Sequence, residues 1–484
     1  MTKKFYIDQH GCAKNQTDGE LIVGFLIKAG FEHTLDYTQA DFVIINSCGF
    51  IESAKKESID AIYNVKSSCP EAKIILTGCL AERYAQMLSE SMPELDGIFG
   101  NGNLAKIADF MKSVETGEKP VETFPQEGVC DGNRPVLFNF KGSAFVKITE
   151  GCSNHCSFCA IPLIRGEVRS RPAESVISEI KELLAAGVYE INLIGQDLAA
   201  YGTGVNDNAF GDGRTEYRGE KESGLARLLK MISVLEGEFL IRLLYIHPDH
   251  FNEDILPVMK KDCRFAHYFD IPFQSGDDKI ILAMNRCGTG KKYAETVRLI
   301  RKELENCVIR TTFLTGFPGE TDESAANTVA FLKEIKPDWS GCFPYSREED
   351  TPSYDMKNRV PKKTAEKRAA ELENIQSEIT AEKLQEYVGK QFDVLVEEII
   401  DVDEKVAEDA SEGLALGRAW FQAPEVDGCV VIRYERDIEK EADAVKPGNV
   451  VTVEVIGAAG VDLDSRFISL KKQNEDTDLL FVNI

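Results

Sequence analysis

Three cysteines within eight residues, Cys152, Cys156 and Cys159 in GCSNHCSFC, constrain this chain more than any other feature. They follow the β-branched and aromatic run AFVKITE, so all three thiols leave one strand on one loop. Three thiolates at CxxxCxxC spacing can hold three irons of a 4Fe-4S cluster and leave the fourth open, because such clusters are normally held by four cysteines. A zinc site or buried free thiols would use the same residues. Tetrahedral zinc, however, wants a fourth ligand, and the nearest candidate, His155, lies inside the loop.

What surrounds this loop reads as alternating strands and helices. The runs SAFVKIT, YEINLIG, FLIRLLYI, HYFDIPF, VIRTTFLTG and WSGCFPYS are strand-like, with helical stretches between them. Six βα units predict a parallel, partial (βα)6 barrel over 136–375. Nearer the amino terminus, KFYID, DFVIIN and KIILTG each precede one cysteine, Cys12, Cys48 and Cys79, and helical spacing follows over 17–30, 52–66 and 81–90. In an open α/β sheet the loops after the strands gather on one rim, so these three thiols can meet in space. This predicts an amino-terminal open α/β domain over 1–135, with the polar, aperiodic stretch 112–135 as linker.

A charged helix is expected over 362–388, with Leu372, Ile375, Ile379 and Leu384 on one face and a connecting segment at 376–389. From 390 to 474 short alternating strands predict a small β-barrel, followed by a tail over 475–484. The Gly-rich stretch between Gly202 and Ser223, with its 203–222 insertion, is longer than an ordinary connection and reads as a lid or binding loop.

Composition narrows the function. Thirteen cysteines in a chain without a signal-peptide pattern point to a reducing cytoplasm and to metal or catalysis rather than disulfides. No apolar run is long enough for a bilayer, so no membrane partner is expected. The formal charge is −25, and residues 391–472 carry 9 Lys plus Arg against 19 Asp plus Glu, a net of −10. Such a barrel would repel a phosphate backbone and attract a basic protein. Cys69, Cys130, Cys263, Cys287, Cys307, Cys342 and Cys429 lack ligand spacing and read as core or incidental, and His247 and His250 as loop or pocket-wall residues.

CxxxCxxC, with Phe158 before its third cysteine and opening a βα barrel, resembles the radical S-adenosylmethionine superfamily. The resemblance implies S-adenosylmethionine on the open iron. It also implies a cofactor pocket at strand ends drawn from Gln196, Asp197, Gln274, Arg310, Thr312, Gly316 and Glu320; in TGFPGE the glycines would let the backbone approach an adenosine. With the amino-terminal trio and the carboxyl-terminal β-barrel, nearly the whole chain resembles the methylthiotransferase family, whose last domain is of the TRAM type. That implies two 4Fe-4S clusters, Cys12, Cys48 and Cys79 holding the auxiliary one that carries the sulfur. One S-adenosylmethionine would methylate this sulfur and a second would generate the radical.

The strings GCAKNQTD, NSCGFI, TGCLAER, IPLIRGEVRSRP, GCFPYSREEDTPSY and GRAWFQAPEVDG resemble the enzymes that modify an aspartate β-carbon of small-subunit ribosomal protein number twelve. The tRNA type, MiaB and its relatives, reads more like GCQMN and NTCSVR. The implied partners are a basic ribosomal protein, free or on the ribosome, and an electron donor. A tRNA adenosine methylthiotransferase and a non-catalytic iron–sulfur scaffold that senses redox state or binds ribosomes are the alternatives. His10, Gln16-Thr17 and the 203–222 insertion depart from the family's usual pattern.

Overall fold

Every cysteine of the amino-terminal trio ends a strand of one parallel sheet. In the computed structural model, which describes residues 2–204, 207–211, 222–400, 411–474 and 479–482, this sheet is built in chain order. Its elements are β1 (Lys4–Gln9), α1 (Ala13–Lys28), β2 (Glu32–His33), β3 (Phe42–Ser47), α2 (Glu52–Ser68), β4 (Lys73–Gly78), α3 (Cys79–Ser91), β5 (Gly97–Phe99), α4 (Ile107–Glu115) and β6 (Val121–Glu122). The strand order is β2-β1-β3-β4-β5-β6. The central strand β3 is buried at every residue, as expected where helices cover both faces of a parallel sheet. Cys12 precedes α1, Cys48 follows β3 and Cys79 opens α3, so the trio lines the carboxyl ends of three adjacent strands. Cys12 and Cys48 flank the switch point between β1 and β3, where α/β sheets open a crevice. The expected linker is shorter than 112–135, because α4 runs into it and β6 joins the sheet.

The middle of the chain adds β7 (Val136–Leu137), β8 (Ser143–Lys147), β9 (Thr149–Glu150), α5 (Ile161–Arg165), β10 (Arg169–Ser170), α6 (Ala173–Ala185), β11 (Glu190–Ile194), α7 (Gly224–Ser233), β12 (Leu240–Leu243), α8 (Ile255–Lys261), β13 (Phe265–Asp270), α9 (Asp278–Ala283), α10 (Gly290–Glu303), β14 (Val308–Thr315), α11 (Asp322–Ile335), β15 (Trp339–Pro344) and α12 (Lys362–Gln385). Six strands form a parallel sheet in the order β15-β14-β13-β12-β11-β8, the expected partial barrel. Side chains alternate across it: Ile191, Leu193, Ile309 and Phe313 join the outer core under the helices, while Arg310, Thr312 and Leu314 share the opposite, partly exposed face. The helix α12 is continuous from Lys362 and packs Leu372 and Ile379 into that outer core. A boundary at 375 therefore cuts an intact helix of the barrel. Most of the 203–222 insertion lies outside the described residues.

The last elements are β16 (Gln391–Ile400), β17 (Glu412–Ala419), β18 (Val430–Glu435), α13 (Glu439–Ala444), β19 (Val450–Ala459), β20 (Asp462–Lys472) and β21 (Leu480–Phe481). Five strands close a barrel in the order β16-β17-β18-β20-β19. The expected tail is partly structured, since β21 returns to pair with β7.

Buried charge joins the three units. Segment 418–427 plugs the foot of the open barrel. There Arg418 binds Glu190 at 2.6 and 3.0 Å, the Trp339 indole donates to the Phe421 carbonyl at 3.0 Å, and Asp427 accepts from Tyr268 at 2.6 Å. At the opposite end, Asp18 on α1 is held by Lys147 and by Arg165 (2.9 Å). Glu348, in the loop after β15, receives Lys55 and Arg83, each at 2.9 Å. The amino-terminal domain thus spans from the β8 edge to the β15 edge over the carboxyl-terminal rim, the end at which barrels of this kind build their sites.

Candidate active site

The loop carrying Cys152, Cys156 and Cys159 leaves β9 and returns in β10, an antiparallel pair that clamps its base. Its apolar residue Phe158 packs against the cluster of Ile280, Met284 and Phe317, which Leu314 and Tyr345 at the ends of β14 and β15 also join. His155 sits at φ 48° and its exposed ring lies 3.2 Å from Glu167. Burial pushes the Cys152 thiol up to about 11 and the Cys159 thiol up to about 12. Protons must therefore leave as a metal arrives. The Cys156 sulfur lies 3.7 Å from His247 Nε2. Because Nδ1 of His247 accepts from the Asp249 amide (3.3 Å), Nε2 carries the proton in the neutral ring and donates toward the sulfur.

Cys12, Cys48 and Cys79 come together across the sheet ends. Asn15 gathers these ends by donating from Nδ2 to the carbonyls of His10 (2.7 Å), Asn46 (3.1 Å) and Ser47 (3.3 Å). A Cβ on Gly11 would sit 3.1 Å from the Cys48 Cβ, so glycine at φ 92° admits the close approach. The Cys12 side chain borders solvent, yet the surrounding protein would push its thiol up; the Lys14 and Arg165 cations outweigh this and hold it below the ordinary range. Burial, then the neighbouring Cys79, pushes Cys48 up to about 12, and burial raises Cys79.

The two trios are neighbours. Cys79 packs against Ala160, the residue after Cys159, and against Ile164. Arg165, at the end of the same α5, donates to the Cys79 sulfur (3.3 Å) and binds Glu150 (2.7 Å) and Asp18 (2.9 Å). Burial opposes the negative charge of Glu150, but Arg165 and Lys147 outweigh it and hold the carboxyl well below the usual range. This domain-crossing cluster carries no sequence signal, since its members are ordinary charged residues far apart in the chain.

Donor spacing tests what each trio fits. Among the described residues, the one group of three His, Cys, Asp or Glu ligand atoms lying within 4.8 Å of one another is Asp197, His247 and His250. Three thiolates on one tetrahedral zinc stand ~3.8 Å apart, from a Zn–S bond of about 2.3 Å. Neither cysteine trio closes to such a cage. The arrangement suits a larger multi-iron centre, and the cation on Cys79 suits thiolates that carry its negative charge.

The residues expected around the cofactor divide. Gln196 donates to Glu150 (3.3 Å), and its Oε1 is buried without a partner. Gln274 sits at φ 71° and is bridged to Phe313, beside Thr312. The other four are occupied by the protein itself. Asp197 accepts from the amides of Ala199 and His247 (both 3.1 Å), from Asn154 (3.1 Å) and from His250 (2.7 Å), which uses its lone pairs to hold the loop. Arg310 faces Asp270 (3.5 Å) and Asp427 (3.3 Å) deep in the barrel. Glu320 accepts from the Gly316 amide and from Arg368, each at 2.6 Å. The glycine at 316 admits a close helix: its Cβ would stand 2.3 Å from that of Ala365 on α12. His247 and His250 line the wall of the cavity beside the cysteine loop, where they meet Asp197.

Residues 4–100 match uncharacterized protein family UPF0004, residues 146–332 the radical SAM superfamily, and residues 388–468 the TRAM domain. A protein of Treponema denticola described as ribosomal protein uS12 methylthiotransferase RimO is 52% identical over 476 residues, covering 95% of this chain and 99% of that protein. Proteins of the same description from Desulfitobacterium hafniense (36% identical; 96% and 98% covered) and Aquifex aeolicus (36%; 97% and 97%) are similar over nearly their whole lengths. Among solved structures, the radical S-adenosylmethionine methyltransferase TsrM from Kitasatospora setae, bound to tryptophan and a SAM analog, shares the fold. Its TM-score is 0.53 at 14% identity, covering 73% of this chain and 75% of that one. On this similarity, which runs through all three domains, the chain belongs to the family of ribosomal protein uS12 methylthiotransferases named RimO.

Proposed function

We propose that the chain replaces a hydrogen on the β-carbon of an aspartate in ribosomal protein uS12 by a methylthio group, as a radical S-adenosylmethionine enzyme. The observation that carries this reading is the juxtaposition of two cysteine trios, with Cys79 packed against the residue after Cys159. A reaction that joins radical generation to sulfur insertion needs both functions within reach of one substrate carbon.

S-adenosylmethionine on a reduced iron–sulfur cluster supplies the radical that removes the hydrogen; the remaining tasks fall to the chain. In this reading Cys152, Cys156 and Cys159 hold one 4Fe-4S cluster and Cys12, Cys48 and Cys79 a second, each trio leaving one iron for a non-protein ligand. Gln196, Gln274 and Thr312 line the cofactor's place. Asp197, Arg310, Gly316 and Glu320 support it by holding loops and the neighbouring helix. His247 donates to the Cys156 sulfur, and Arg165 to that of Cys79. The segment 418–427 fastens the terminal barrel to the foot of the partial barrel. The net −10 of residues 391–472 favours a basic protein over tRNA. An electron donor completes the cycle. No described helix is long and apolar enough to cross a membrane.

Anaerobic incubation of the iron-loaded protein with S-adenosylmethionine, dithionite and uS12 tests the reading. It requires 5′-deoxyadenosine together with methylthio-aspartate in uS12. Deoxyadenosine without modified uS12, or modification of tRNA instead, overturns the substrate; zinc in place of iron overturns the chemistry.

A further inference from the structure

Lys14 is a buried cation that no carboxylate engages, although a Cys12 thiolate would act on it through space. It is the second residue of α1, two positions after Cys12, and only 8% of it is exposed. Its ammonium stands 3.4 Å from the centre of the Tyr245 ring, close enough for a cation–π contact. Among the described residues, no hydrogen bond or ion pair engages that ammonium. The carboxylate of Asp270, which acts on it through space, is paired with Arg310 instead. A buried ammonium loses its hydration and is costly unless an anion replaces the water.

The platform beneath Lys14 is itself constrained. Tyr245 follows β12 at φ 71°, a left-handed conformation rarely adopted by an aromatic residue, and its carbonyl accepts from the Leu198 amide at 2.9 Å. The surrounding fold therefore holds the ring, and with it the ammonium, at the meeting of the Cys12 turn and the barrel rim.

We propose that Lys14 receives the side-chain carboxylate of the substrate aspartate and so selects an acidic residue at the reacting position. The inference rests on the methylthiotransferase reading above. The reacting β-carbon is bonded directly to the carboxylate carbon, so a cation beside the auxiliary trio fixes that carbon next to the sulfur source. Asparagine has the same shape but brings no charge, which leaves the buried ammonium without a carboxylate in contact. Selection thus comes from a penalty on the neutral analogue as well as from attraction to the acid.

The test uses iron-loaded wild-type enzyme and the variants Lys14→Met and Lys14→Arg. Mass spectrometry of uS12 treated with wild-type enzyme locates the modified aspartate, and two labelled peptides around it carry Asp or Asn at that position. Anaerobic fluorescence anisotropy then gives their affinities. Wild type should bind the Asp peptide about ten- to a hundredfold more tightly than the Asn peptide, the usual effect of a buried charge-assisted contact. K14M should bind the two alike, and K14R, which keeps the charge, should retain most of the preference. Iron content at the wild-type level shows that K14M is folded and loaded; if K14M loses iron, the wild-type preference and its persistence in K14R decide. Absence of a wild-type preference, or a preference unchanged in iron-replete K14M, overturns the assignment of Lys14. The latter result together with loss of bound sulfide would place Lys14 against a sulfur anion instead. If wild-type enzyme leaves uS12 unmodified, the underlying reading fails first.

Discussion

Replacing Arg418 by Met should loosen the terminal barrel from the partial barrel it plugs. The guanidinium, on a residue only 5% exposed, binds Glu190 at 2.6 and 3.0 Å, Glu397 at 2.6 Å and the Gln422 carbonyl at 3.1 Å. Without it, Glu190 keeps Arg242 (2.8 Å) and the Ser143 hydroxyl (2.9 Å). Glu397, which is buried, has no other hydrogen-bond partner among the described residues. Removing one member of a buried ion pair costs about 3–5 kcal/mol, a large share of the ~5–15 kcal/mol that stabilises a domain. The assay is built in, because both tryptophans of the chain lie at this junction. Trp339 donates to the Phe421 carbonyl at 3.0 Å, and the Trp420 carbonyl accepts from Arg242 at 2.6 Å. Intrinsic fluorescence through a denaturant titration should show R418M destabilised by about 3–5 kcal/mol. The double variant R418M/E397M should recover most of that, since an apolar pair can replace a buried ion pair at little cost. A single variant within about 1 kcal/mol of wild type, or a double variant no better than the single, refutes the argument.

Glu190 also sets a pH dependence: burial opposes its charge, but Arg418 and Arg242 outweigh burial and hold its carboxyl well below the usual range. A depressed folded pKa stabilises fully above the unfolded value of about 4.5, so the same fluorescence transition should move to lower denaturant as pH falls below that value and stay level above it. Iron analysis should find about eight irons per loaded chain and about four after Cys152, Cys156 and Cys159 are all changed to Ala, one four-iron cluster per trio; unchanged iron in that variant would remove the assignment. Gly316→Ala combines φ 75° with a Cβ 2.3 Å from that of Ala365, and should lower the thermal midpoint through a loss of roughly 1–3 kcal/mol as α12 is displaced.

The architecture was legible wherever its cause is local. A strand period of two followed by a helical period marks each βα unit, and a cysteine at the end of a β-branched run lands on the sheet rim because parallel strands point their carboxyl ends one way. The trios could therefore be read from Cys12, Cys48, Cys79 and the CxxxCxxC loop alone. What escaped is set by distance. Arg418 and Glu190 are 228 positions apart, and Asp18 meets Lys147 across 129. Composition counts Glu397 toward a negative surface, whereas the fold spends it on Arg418. The approach of Ala365 to Gly316 also escaped, because a glycine announces a close approach without naming what approaches. His247 and His250 have no ligand spacing between them, and their third partner, Asp197, lies fifty positions from His247. Lys14 carries no sequence signal of its own, and only its burial over Tyr245 sets it apart.

The most direct measurement compares cells with and without this chain by mass spectrometry of both uS12 and total tRNA. The account predicts that the methylthio group on one uS12 aspartate disappears with the chain and that the tRNA methylthio nucleosides stay at their usual level. An unchanged uS12, with the tRNA modification lost, would contradict it.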